Sequence, residues 1–276
     1  MEVPEGVPLK VVPSQWPSIA AAVEAAEEGA LIQVQPNHVE QLLQPLILDK
    51  NICLAGPADN SALIQGEGLI VAGGKSLSSV VLSRLRFQIT GGPALLLAGG
   101  CSVERCEVEC AGGVGVEVAA HSEVRILRSV VRDCQVGISL AGGAASALLE
   151  GTHIERCACG LALTGLDVEE GWGDVLAPLS GASLTLNEAD LRLRAWSVRE
   201  KGGVMRHAPL GEEISLCGWP YEQCNVVVPT DRGPVVLHIN GGKVNATLWD
   251  DEDEGTAESE GDAQDSSFHE VDLSKA

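Results

Sequence analysis

Between Leu85 and Gly165 short apolar runs alternate with polar and glycine positions at a steady interval. Leu85, Val108, Val131 and Ile154 stand 23 residues apart, and Cys106, Ser129 and Thr152 keep that interval two residues earlier. A glycine-containing turn follows each run, then a second apolar run: Ala94–Leu97, Val114–Val118, Val136–Leu140 and Gly160–Leu163. Repeats of this length mark solenoids or arrays. The runs are short, alternating and rich in β-branched residues, so the unit reads as strand-turn-strand. A single coil cannot bury its apolar face, whereas stacked coils bury a continuous core at roughly 4.8 Å per step. Equivalent positions then form ladders. Leu85, Val108, Val131 and Ile154 are expected to stack inward, and Cys110, Cys134 and Cys157 to form a second inward ladder.

Before the repeats, residues 14–30 read as a helix. Ile19, Ala22, Val23 and Ala26 share one face, Ser14 or Ser18 caps it, Pro17 suits its first turn and Gly29 its end. Such a helix would cover the open end of a solenoid. Residues 1–13 read as an N-terminal extension and 31–165 as β-helix repeats, about six coils at this period. The register is lost at Leu166. Residues 167–181 read as a long loop holding Asp167, Glu169, Glu170, Trp172 and Asp174. Alternation returns within 166–249, which reads as irregular last coils or a small β unit. The fold class expected is all-β: a right-handed, single-stranded parallel β-helix with a capping helix and a disordered acidic tail.

Composition sharpens this picture. Of 276 residues 45% are hydrophobic but only 3% aromatic, which suits a narrow interior filled by Val, Ile, Leu, Ala and Cys. The net charge is −21, and residues 250–276 hold eleven acids against the single base Lys275. Little in that tail offsets ordering entropy, so it reads as disordered. In it Ser259 precedes Asp262 and Ser267 precedes Glu270 by three residues, a spacing that acidophilic kinases favour. No basic stripe offers itself to phosphates, so neither nucleic acid nor an anionic membrane is an expected partner. The N-terminus has no secretory pattern and nine cysteines are present, which together read as reduced thiols in the cytoplasm, with a nuclear or cytoskeletal location also compatible.

Two segments carry a family resemblance. The run SIAAAVEAAEEGALIQV from Ser18 to Val34 resembles the opening motif of pectate-lyase-like right-handed β-helices, and LILDKNICLAGP resembles their second coil. The segment CSVERCEVECAGGVGVEVAAHSEVRILRSVVRDCQVGISLAG is similar to the carbohydrate-binding and sugar-hydrolysis repeats. Those repeats occur in F-box-only substrate receptors and in Shc-binding midbody and spindle proteins. The resemblance spans roughly residues 14–165 and implies the fold more strongly than a function.

Candidate chemistry is sparse. Glycosidases need two acids flanking the scissile bond. The neighbouring acids Glu27–Glu28, Glu169–Glu170 and Glu212–Glu213 read as solvated pairs, and the 167–174 cluster as a solvated loop. Cys157 and Cys159 alternate across a strand and no paired CxxC spacing exists, so no metal site, cofactor or catalytic residue is assigned. His121 and His153 read as solvent-facing or satisfied histidines. Outward arginines are the candidate partner-binding face: Arg105 and Arg128 are 23 apart, Arg132 and Arg156 are 24 apart. They suggest two short rows able to dock an acidic segment, or a face laced with its own salt bridges. The function expected is a non-catalytic intracellular scaffold that binds a protein. The alternative is a carbohydrate-binding module, lyase or glycoside hydrolase inherited from the fold.

Overall fold

The computed structural model describes residues 7–72, 80–141, 146–165, 167–169, 174–175, 179–180, 183–194, 196–209, 211–217, 224–240 and 243–248. The acidic tail from Asp250 and Glu170–Gly173 lie outside them. The chain divides into two compact units: Met1–Gly165 with Ala177–Arg194 and Glu213–Trp219, and the remainder.

The first unit is a parallel β-solenoid. Three sheets run along it, with eight strands in the first, seven in the second and eight in the third. Each coil contributes one strand to each sheet. The coil after Gly100, for example, runs through Cys101–Glu104, Glu107–Ala111 and Val114–Val118. Six coils lie between Leu31 and Gly165. The repeating unit is therefore three strands, where the apolar pattern suggested two. Its least apolar members, such as Val39–Leu42 and Glu123–Leu127, escaped that pattern.

The solenoid also extends at both ends. Leu9–Val12 pairs in parallel with Leu31–Val34. After Gly165, Leu179–Ser180, Ser183–Thr185 and Ala189–Arg194 add a further parallel strand to each sheet. Glu213–Leu216 then closes the third sheet antiparallel. The segment 167–181 is thus no single loop, because it carries Asp167–Glu169, Asp174–Val175 and Leu179–Ser180 as strands.

Inward positions form continuous apolar columns. In the first sheet Ile32, Leu54, Leu82, Val103, Ile126 and Leu149 stack in register. In the second the column is Glu40, Ile64, Phe87, Val108, Val131, Ile154 and Leu184. Val108, Val131 and Ile154 stack as expected, each fully buried. Leu85 does not belong to that column. Phe87 faces Val108 instead, and Leu85 lies buried one corner back, at the position of Cys106. The corner-to-corner interval there is 21 residues (Arg84 to Arg105), so counting back 23 from Val108 misses the register by two.

The helix is shorter than the 14–30 pattern. It spans Ile19–Glu24, with Ser18 as N-cap accepting from the Ala21 amide at 3.1 Å. It buries Ile19, Ala22 and Val23. Glu40 explains why the second column opens on a carboxylate. Its Oε2 accepts from the Ile19 amide at 3.1 Å and sits 2.8 Å from His38 Nε2. At the other end Lys50 Nζ donates to the carbonyls of Val23, Glu24 and Ala26. An acid at the N-terminal end and a base at the C-terminal end satisfy orphan backbone groups and oppose the helix dipole.

The second unit is a small β unit. Asp167–Glu169 runs parallel to Ser197–Arg199, which pairs antiparallel with Met205–His207. Cys224–Val228, Val235–Asn240 and Lys243–Leu248 form an antiparallel meander with Asp174–Val175 at its edge. Val226, Val228, Val235, Leu237 and Ala246 are buried in it. No helix among the described residues is long and apolar enough to cross a membrane.

Candidate partner-binding surface

Four successive coils turn from the first to the second sheet through one residue in the left-handed backbone region. Arg84, Arg105, Arg128 and Gly151 occupy it in successive coils, at φ 55°, 53°, 50° and 59°. Their amides lock the corner: Arg84 N–H donates to Glu104 O at 2.9 Å, Arg105 to Leu127 O at 2.9 Å, and Arg128 to Glu150 O at 2.7 Å. The next residue turns inward, Leu85 after Arg84 and a small polar group in the three coils that follow. Cys106, Ser129 and Thr152 are buried, and Ser129 Oγ accepts from the Cys106 amide at 3.1 Å while Thr152 Oγ1 donates to Ile126 O at 2.7 Å. The repeat of Cys106, Ser129 and Thr152 in the sequence is thus an interior ladder that saturates corner carbonyls.

Outside this corner the arginines form a ridge. Arg105 and Arg128 are exposed and Arg84 half-buried. None of the three makes an ion pair with a described residue. For an L-residue this backbone costs about 1–2 kcal/mol relative to the right-handed helix region. Glycine tolerates it, and Gly151 occupies the same corner one coil later. Like charges stacked about one strand spacing apart add repulsion.

Arg132 and Arg156 stand elsewhere. The register pairs Arg132 with Glu109 on one side and Glu155 on the other. Arg132 lies on the outer face of the second sheet and ion-pairs Glu107 and Glu109. Arg86 joins from the preceding coil, its Nε 2.9 Å from Glu107. Gln65 donates to Gln88 at 2.9 Å, and Gln88 to Glu109 at 3.3 Å. This face is a ladder of ion-paired and hydrogen-bonded side chains, although Arg86 Nε and Arg132 Nε have no hydrogen-bond partner of good geometry. Arg156 sits at the next corner, at φ 53°, with two nitrogens on Asp133 at 2.9 and 2.7 Å and a third on Glu155 at 2.6 Å. The Arg156 hydrogen bonds hold the Asp133 carboxyl below the usual carboxylate range, and the same contacts raise the Arg156 guanidinium.

The four candidate arginines therefore do not share one face. Arg105 and Arg128 stack, while the 24-residue interval between Arg132 and Arg156 is one residue off the 23-residue register. Arg84 belongs with the first pair and was missed because its interval to Arg105 is 21. The signal that finds it is the shared position just before the inward residues Leu85, Cys106 and Ser129.

The cysteine ladder is interior. Cys110, Cys134 and Cys157 are buried at the corner between the second and third sheets. A Cβ on Gly115 would stand 3.0 Å from Cys134 Sγ. Cys134 Sγ donates to Arg132 O at 3.1 Å and Cys157 Sγ to Glu155 O at 3.4 Å; the proximity of the two thiols raises the first and lowers the second. Burial pushes the Cys101 and Cys106 thiols up to about 12 and Cys159 to about 11. Cys217 is exposed, its Sγ 3.1 Å from Glu188 O. Among the described residues no group of three or more His, Cys, Asp or Glu side chains is placed to hold a metal ion.

Of the paired acids, Glu28 accepts from the Asn51 amide at 2.8 Å and Glu213 ion-pairs Arg192 and Arg194. His121 is exposed, and His153 lies 2.6 Å from Ser183 Oγ. Asp167, Glu169 and Asp174 stand on strands of the second unit, while Glu170 and Trp172 lie outside the described residues. No protein-family model, curated protein or solved structure matches this chain.

Proposed function

We propose that this chain is a non-catalytic scaffold of the right-handed, pectate-lyase-like β-helix type, which binds a protein partner on the outside of its coils. The carrying observation is the ridge of Arg84, Arg105 and Arg128. Three exposed or half-exposed cations hold a backbone that favours glycine, and none of them ion-pairs a described residue. Residues kept in an unfavourable conformation cluster at functional positions. The surrounding corner is rigid, because every ridge amide is hydrogen-bonded to the next coil. A cytoplasmic setting agrees with the free thiols at Cys101, Cys106, Cys110, Cys134, Cys157 and Cys159, all buried in the solenoid.

The test is quantitative affinity capture from cytosol, with Arg105→Glu/Arg128→Glu against the unaltered chain and Arg132→Gln as a charge control. A discrete protein should be retained by the unaltered chain and by Arg132→Gln, and lost on reversal of the ridge. A glycan array and polysaccharide lyase and hydrolase assays run alongside. Saccharide binding or turnover, with no protein captured, would replace the scaffold reading with the carbohydrate one.

A further inference from the structure

We infer that the ridge is built to take an acidic α-helix lying along the solenoid axis, with carboxylates at about i, i+4 and i+7 facing Arg84, Arg105 and Arg128. The inference rests on the scaffold reading and names its partner. The argument is one of spacing. Coils repeat at roughly 4.8 Å, so three ridge positions span roughly 10 Å. On a helix, i to i+7 advances about 10.5 Å and keeps one face, with neighbouring carboxylates at the spacing of adjacent turns. An extended acidic segment places same-face side chains at i, i+2 and i+4, over about 13 Å. The helix thus stays in step over three coils, and the strand drifts by more than half a coil.

The limits of the ridge fix the length of the match. Gly151 ends it on one side and Gly56 on the other, since Gly56 stacks against the Arg84 carbonyl and has no room for a side chain. Three cations therefore call for three carboxylates. Guanidinium groups suit that role because their planar forks bind carboxylates through paired hydrogen bonds. Glu104 and Glu150 precede the corner in two of the coils, and Ser102 Oγ donates to the Glu104 carboxylate at 2.9 Å. The left-handed positions of this corner from Arg84 to Gly151 hold arginine or glycine; beside them the second-coil loop after Gly56 carries Asp59, which accepts from Ser61, and Asn60, whose Nδ2 donates to Arg105 O at 2.8 Å. The salt-bonded ladder of Arg86, Glu107, Glu109 and Arg132 offers no such opening.

The experiment uses the full chain and two fluorescent peptides of identical composition. One is a lactam-bridged helix with glutamates at i, i+4 and i+7, and the other places them at i, i+2 and i+4. Affinity is read by anisotropy at physiological salt, where unspecific attraction is screened. The helical peptide should bind at least about tenfold tighter than its isomer, and lose about tenfold or more on Arg84→Gly/Arg105→Gly/Arg128→Gly. Glycine suits the left-handed corners, so this variant should keep its circular dichroism and thermal transition. Equal binding of both peptides, tighter binding of the isomer, or binding that survives the glycine variant would overturn the inference. If neither peptide binds while the glycine variant still loses a captured protein, the helix inference fails and the scaffold reading stands. Failure of the scaffold reading looks different: no protein is captured by either form.

Discussion

Two arginine-bearing strips lie on the outside of the same solenoid, and they are built on opposite terms. On the second sheet Arg86 and Arg132 share Glu107, Arg132 also reaches Glu109, and Gln65 and Gln88 extend the chain of contacts. At the adjoining corner, Arg84, Arg105 and Arg128 make no ion pair with a described residue and hold left-handed backbone. The first strip answers its own charges and contributes to holding adjacent coils together. The second has no ion-pair partner among the described residues and costs the fold backbone strain. Arginine at rung spacing is thus no signature of function by itself. What separates the structural ladder from the proposed docking ridge is whether the register brings an acid opposite.

Both strips depend on the column beneath them. Val131 is fully buried between Val108 and Ile154, and Arg132 is its neighbour. Val131→Asp places an unpaired charge in the core and should cost about 3–5 kcal/mol, enough to unfold a marginal domain. Chemical denaturation should show loss of the native baseline, and both strips should fail together. A variant that folds normally would mean that Val131 does not face the interior. Gly137→Ala strains the same level more mildly. Its Cβ would stand 2.6 Å from both the Gly160 carbonyl and Ile154 Cγ2, an overpacking of about 1–3 kcal/mol.

The sharpest test of the contrast sets one substitution on each strip. Glu107→Ala removes the shared acceptor of Arg86 and Arg132 and should destabilise by about 1 kcal/mol, in line with a partly exposed network. Arg105→Gly removes a charge that has no ion-pair partner among the described residues and relieves a left-handed residue, so stability should hold or rise by up to about 1 kcal/mol. Urea midpoints moving in opposite directions support the distinction. A loss at Arg105→Gly as large as at Glu107→Ala would erase it and make the ridge another structural ladder.

Much of the solenoid was legible in the residues. Val108, Val131 and Ile154 announced a column because β-branched residues at a constant interval serve one inward position. Val114–Val118 and Cys159–Thr164 were visible for the same reason. What stayed hidden had weaker apolar contrast or a changed interval. Glu123–Leu127 alternates two charged outward residues with Val124 and Ile126 and reads as polar. Glu40 occupies an inward position that only the capping helix explains. At the candidate surface, the interval between Arg105 and Arg128 survived because the coil length there equals the period. Arg84 was lost to a shorter coil, and Arg132 with Arg156 was a false row one residue off register. Periodicity locates stacked positions well where coils are equal, but it cannot tell an outward strand residue from a corner residue beside it.

The smallest effect concerns that false row. Arg156 and Asp133 stack at the corner between the second and third sheets, both exposed, so their attraction is largely screened. The hydrogen bonds from Arg156 nevertheless depress the Asp133 carboxyl in the folded state. A carboxyl with a lowered folded value contributes stability that is present above its unfolded value, about 3.9, and is lost as pH falls through the folded one. Asp133→Asn should therefore lower the urea midpoint slightly near neutral pH. The gap from the unaltered chain should close on acidification below the usual carboxylate range, because the unaltered Asp133 is then protonated as well. Glu107→Ala provides the comparison, since its loss is shared between two arginines and should be larger at neutral pH. A gap at Asp133→Asn that persists unchanged into acid would show that the corner is held by packing alone, and would leave the paired arginines on the second sheet as the solenoid's working ion ladder.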